Sequence, residues 1–233
     1  MCSGAGVRVT ALREMIEGFG EARTSEILRA YRSVRDSDTE SFLRDRAVEM
    51  EKRDLSRTYL FLGPGPDRVL GYVTLGIKCL AVPEGGPVSG RMRRAMNTDA
   101  RTNVAQAYLL GQLSRSADAP KGTGAALLDL AFEHFDAARR EVGCRMVRLD
   151  CRDELVPYYT AHGFRPISRN VDGDLNQMVA LIRGSRSSAR PELASGRGVS
   201  PTLTDSSCYA GVEPVPEHPV RAGRGLGNRQ VRR

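Results

Sequence analysis

Lys121-Gly122-Thr123-Gly124-Ala125 joins a short apolar run, Gln106 to Ser114, to a segment whose apolar residues fall at helical spacing. A turn so placed presents the unpaired N–H groups of a helix start together with the positive end of the helix dipole. Its glycines let a ligand approach the backbone closely, and Lys121 adds a flexible positive charge. The chemistry this suits is the holding of an anion, a phosphate above all. The turn is not a nucleotide P-loop, because GxxxxGK followed by Ser or Thr is absent, nor a dinucleotide fingerprint, which needs a third glycine. The five cysteines, Cys2, Cys79, Cys144, Cys151 and Cys208, include no CxxC pair and no companion His at metal-ligand spacing, so reduced thiols and no metal are expected. Cys151 ends an apolar run where a nucleophile is reachable, yet no His stands in sequence or by motif to activate it.

The turn needs a strand before it and a helix after it, and the sequence supplies both. "QAYLLGQLS" reads as a buried central strand, and from Gly122 the residues Leu127, Leu128, Ala131, Phe135, Ala138 and Val142 mark one helical face that stops at Gly143. "RMVRLDC" is the next strand, "DELVPYYTAH" a helix, and "GFRPIS" with "LNQMVALIR" closes a sheet. Strand, turn, helix and strand make a βαβ crossover with two parallel strands. Upstream, "VRVTAL" is a short strand followed by helical patterns through Tyr31. "SDTESFLRDRAVEMEKRD" is an amphipathic helix with Ser37 and Glu40 at capping-box spacing. "RTYLFLGPGPDRVLGYVTLGI" is an antiparallel hairpin, and "SGRMRRAMNT" a basic helical connection. The fold class is mixed α/β.

Composition divides the chain in two. Through Arg183 apolar-periodic segments alternate with short turns, whereas 184–233 is dense in Gly, Ser, Pro and Arg and has no sustained period, the mark of a disordered tail. That tail carries eight Arg against Glu192, Asp205, Glu213 and Glu217, so it contributes +4 of the formal +7 and leaves +3 for residues 1–183. The balance suits an anionic ligand or a nucleic acid, and equally a solvated surface. No leader-like N-terminal segment or membrane-length apolar run is read, which makes the cytoplasm the expected compartment.

The ordered set "YLLGQLS", "KGTG", helix, "RLDC" and "YYTAHGF" resembles the GNAT superfamily of acyl-CoA-dependent N-acetyltransferases, over about Ser37 to Arg183. It is most similar to a bacterial and phage-type branch that includes toxin-like members. The resemblance implies a mostly antiparallel central sheet flanked by helices, with the parallel pair splayed where pantetheine inserts. It implies acetyl-CoA as acyl donor. The backbones of Leu113, Ser114 and Arg115 would then meet the acetyl carbonyl and pantetheine, and the amides of Lys121, Gly122, Thr123, Gly124 and Ala125 the pyrophosphate. Ala119-Pro120 departs from the family's usual opening of that turn.

Tyr159 falls where many members place a hydroxyl near the cofactor sulfur, and a phenol can protonate a departing thiolate; Tyr158 is expected to pack against the sheet. Glu40, Asp150 and His134 are of the right type for a base. Glu40 is more simply the capping-box partner, His134 a solvated residue on the helix's polar side, and Asp150 a cap for the following helix. Direct attack by a primary amine is expected, without a covalent intermediate. The acceptor is a small molecule or, as in toxin-like members, an aminoacyl-tRNA; the Arg91–Arg94 cluster beside the cleft-forming connection and the Arg-rich C-terminus suit phosphate contacts. A homodimer is left open. The competing reading is a non-catalytic CoA-binding or adaptor protein that keeps the GNAT shell, for which Ala119-Pro120 is the signal.

Overall fold

In a computed structural model, which describes residues 7–182 apart from 66, 86 and 171, the chain runs β1 (Arg8–Ala11), α1 (Leu12–Phe19), α2 (Glu21–Arg29) and α3 (Ser37–Ser41). A π-helical turn (Phe42–Arg46) leads into α4 (Ala47–Lys52), then β2 (Arg57–Leu62), β3 (Val69–Ala81), α5 (Gly90–Ala95), β4 (Val104–Arg115) and α6 (Thr123–Val142). β5 (Met146–Cys151), a 3-10 turn (Asp153–Leu155), α7 (Val156–Ala161), β6 (Arg165–Arg169) and β7 (Asn176–Leu181) complete it. These elements belong to the first of two compact units, Met1–Arg186. The expected tail, 184–233, lies outside the described residues.

One seven-stranded sheet has the order β1-β2-β3-β4-β5-β7-β6, antiparallel throughout except for the parallel pair β4–β5. This is the mixed α/β architecture that the crossover pattern predicts. Alternation along the strands sorts side chains to two faces. Phe61, Val73, Leu75, Tyr108, Leu110, Val147 and Leu149 pack with Leu127, Leu128, Ala131 and Phe135 of α6. Leu60, Leu62 and Tyr72 point the other way, under Leu12, Leu28 and Leu43 of the N-terminal helices. Leu80, Ala107, Met146 and Val179 form a second patch on that same face, with Val88 and Met96.

Two local expectations are corrected. Asp36, not Ser37, caps α3: its carboxylate accepts from the Asp38 N–H at 2.8 Å. Ser37 is already the first helical residue, so Glu40 turns elsewhere, accepting the Ser33 N–H at 2.8 Å and pairing with Arg44 at 2.6 Å. Val142, placed by periodicity on the packed face of α6, is 77% exposed, because the last turn runs past that face before the Gly143 stop.

Candidate active site

The parallel pair β4–β5 is in register only at Tyr108↔Val147 and Leu109↔Arg148; beyond these the strands part. A bulge in β4 accompanies the parting. Leu110 faces Leu75 and Leu113 faces Val73, so Gly111 and Gln112 together oppose Thr74. Such an insertion bends the strand and sharpens its twist. Thr74, 2% exposed, fixes the bulge by accepting the Gln112 N–H on Oγ1 at 2.7 Å. Gly111 is required there, since a Cβ would lie 2.7 Å from that oxygen. The gap opens into a cleft of about 1000 Å³, lined among others by Leu113, Ser114, Arg115, Asp150 and Tyr159.

The glycine turn stands at one end of that cleft. Gly122, at φ 93°, takes the left-handed conformation that favours glycine, and starts α6 without a side-chain cap. Lys121, Gly122, Gly124 and Ala125 line the cleft, and no acceptor among the described residues meets their amides. Thr123 departs from expectation. It is buried, and its amide and hydroxyl both donate to the Pro120 carbonyl, at 3.2 and 2.8 Å, so it shapes the turn and has no N–H left for an anion. Arg115 gives its carbonyl to the Val34 N–H at 3.1 Å. The Ser114 hydroxyl is likewise committed: it accepts from Tyr31 at 2.8 Å and Thr39 at 3.0 Å and donates to Ser33 at 3.1 Å.

Tyr159 is 7% exposed and packs edge-on against Phe164 and Tyr158 at the cleft wall. Burial raises its pKa, and the Cys151 and Tyr158 side chains add to the effect, so the phenol keeps its proton. Burial pushes the Cys151 thiol up to about 11, with Asp150 adding to the shift; its sulfur sits 3.5 Å from that of Met178. Tyr158 packs against the same core, edge-on to Tyr159. Its hydroxyl is buried without a hydrogen-bond partner among the described residues, 3.2 Å from where a Cβ on Gly124 would stand.

The remaining candidates are also relocated. His134 is half-buried, stacked on Tyr59 with ring centroids 3.9 Å apart, and burial lowers its pKa. Asp150 caps no helix among the described residues: Arg148 holds both its oxygens, at 2.7 and 2.8 Å. The Arg91–Arg94 cluster lies on α5, away from the splay. Arg91 lines a separate groove of about 940 Å³, and Arg93 is engaged by Asn103 and the Pro83 carbonyl. Thr74 and Arg148 are absent from the sequence reading. Each has a signal in the chain: Thr74 is a hydroxyl residue between apolar neighbours in "GYVTLG", and Arg148 and Asp150 alternate with apolar residues in "RMVRLDC".

No family model matches the sequence, and no curated protein matches it. Solved structures do. AtaT complexed with acetyl-methionyl-tRNAfMet aligns at TM-score 0.56 and 19% identity, over 73% of this chain and 94% of that one. A tyrosine-to-phenylalanine mutant of KacT aligns at 0.57 and 15%, over 73% and 93%. AtaTR bound with AcCoA aligns at 0.51 and 20%, over 73% and 91%. The chain therefore has the GNAT fold. Within that fold it is similar to AtaT and KacT.

Proposed function

We propose that this chain is an acetyl-CoA-dependent N-acetyltransferase whose acceptor is the amino group of an aminoacyl-tRNA. The observation that carries the reading is the group of four amides at the start of α6, on Lys121, Gly122, Gly124 and Ala125, without acceptors among the described residues. These donors fit a pyrophosphate, and the parted edge of β4 beyond Leu109 fits a pantetheine arm. Bound there, acetyl-CoA supplies an activated acetyl group as a thioester. Leu113, Ser114 and Arg115 contribute backbone to the arm and the acetyl carbonyl; the Ser114 hydroxyl takes no part, being held by Tyr31.

Tyr159 is the proton donor. The neutral amine attacks the thioester carbonyl carbon, the C–S bond breaks, the sulfur takes the Tyr159 proton, and the amine's surplus proton passes through solvent to restore the Tyr159 phenol. Cys151, kept as a thiol by burial, takes no acetyl group. Residues 1–183 form the acetyltransferase domain of this reading, and 184–233 an extension whose charge of +4 adds to the attraction for a polyanion.

AtaT, with the same fold, is recorded with acetyl-methionyl-tRNAfMet, which supports this acceptor class, as does the formal charge of +7. With labelled acetyl-CoA and total charged tRNA, label is expected to enter the tRNA fraction. The transfer should weaken steeply between about 50 and 200 mM salt. No transfer at low salt contradicts the acceptor.

A further inference from the structure

Arg148 and Asp150 lie two residues apart on β5 and so share a sheet face, the one opposite α6. On the neighbouring strands that face carries Thr74 and Gly76 of β3 and Leu109 and Gly111 of β4, in the gap between the two apolar patches. Arg148 is 3% exposed. One terminal nitrogen holds both Asp150 oxygens, the other donates to the Cys79 carbonyl at 2.9 Å, and Nε is buried without a partner among the described residues. A guanidinium buried this way carries a desolvation cost that an apolar residue of similar volume avoids, so fold stability does not explain it. What it holds is a carboxylate at the cleft. Asp150 is partly exposed and lines the cleft beside Cys151 and Tyr159. Leu149, Cys151 and Tyr159 belong to the core under α6, so Asp150 meets the cleft from the opposite face of the sheet.

We propose that Asp150, clamped by Arg148, is the subsite for the acceptor's amino group. This rests on the acetyltransferase reading above. The carboxylate accepts the amine's N–H groups and aims its lone pair at the parted strands. Arg148 answers a conflict in that task. A bare carboxylate beside the amine favours the ammonium form, which has no lone pair to attack with. A carboxylate already paired with a guanidinium orients the amine while its field on the proton is largely cancelled. Asp150 is an anchor here and not the base.

The other charges around the cleft are Asp36 and Asp38, both bridged to Arg152, together with Glu154, Lys78, Arg46 and Arg35, and Arg115 and Lys121 toward the glycine turn. All are unchanged in the variants below, so a shifted pH profile reports on the Arg148–Asp150 pair.

The test uses the whole chain with total charged tRNA. Asp150→Asn should raise the acceptor KM about tenfold while calorimetry gives an unchanged Kd for acetyl-CoA. Arg148→Met should lower kcat at pH 7, with the loss recovering toward pH 9, and Arg148→Lys should restore much of it. The double variant Arg148→Met with Asp150→Asn, which leaves no unpaired charge, should return the acid limb to its original pH. An unchanged acceptor KM in Asp150→Asn overturns the proposal, as does an acid limb that stays in place in a folded Arg148→Met protein. A measurement independent of turnover is carboxylate ¹³C NMR of the unaltered chain titrated with methionine methyl ester. The Asp150 resonance, assigned by its loss in Asp150→Asn, should move, and a stationary one overturns the subsite. If it moves while no acetyl reaches tRNA, the aminoacyl-tRNA reading falls and the amine subsite stands.

Discussion

A phenol donates a proton only while it keeps one, and Tyr159 is held in that state by burial. Tyr159→Phe removes the proposed donor and little volume. It should lower kcat on the order of 100-fold with the Kd for acetyl-CoA unchanged by calorimetry; equal losses in both would make Tyr159 a packing residue. His134 gives a prediction on stability. Its folded pKa lies below the ordinary 6.5, so the unfolded chain binds the proton more tightly. Stability is then full above pH 6.5 and lost as pH falls through the folded pKa. Thermal melts should show Tm dropping on acidification through that window, and less steeply in His134→Gln. Single residues were unevenly legible. Tyr159 stood out through "YYTAHGF", whereas His134 read as solvated because helical periodicity alone does not reveal Tyr59 stacked above it. The Arg148–Asp150 pair needed only the rule that i and i+2 share a strand face.

At the scale of elements, the parting of β4 from β5 depends on a bulge that Thr74 pins. Thr74→Val takes the acceptor from the partly buried Gln112 N–H, a loss of about 1 kcal/mol. Acetyl-CoA binding should weaken in a protein that remains folded, and Thr74→Ser should restore it; wild-type affinity in Thr74→Val would separate the bulge from the site. Strand and helix identities were largely legible, because β4 and β5 are apolar runs and α6 repeats its apolar residues at helical spacing. The bulge was not, since "LLGQLS" gives no sign that two residues will oppose one. Neither was the π-helical turn at Phe42–Arg46, whose extra residue hides within a pattern that reads as continuous helix. The start of that helix failed for a related reason: Ser37 and Asp36 are both good caps, and only the chain's path through Ser33 decides between them.

At the scale of the molecule, two helical covers leave one strip of sheet open, and the glycine turn and the parted strands meet at its edge. The crossover and its turn were legible because they are contiguous in sequence. The strip was not, because it is defined by what the N-terminal helices and α5 leave uncovered, and residues about seventy apart must come together to form it, as Cys79 and Arg148 do. No helix among the described residues is long and apolar enough to cross a membrane. The central claim is that the turn at 121–125 holds the pyrophosphate of acetyl-CoA. Titration calorimetry of the chain with acetyl-CoA, repeated on Gly124→Glu, tests it most directly. A side chain at Gly124 meets the Tyr158 hydroxyl, and a carboxylate there repels a phosphate. The account predicts binding to the unaltered chain that disappears in a mutant that remains folded by its melting transition. No binding to the unaltered chain, or equal binding to both, would contradict it.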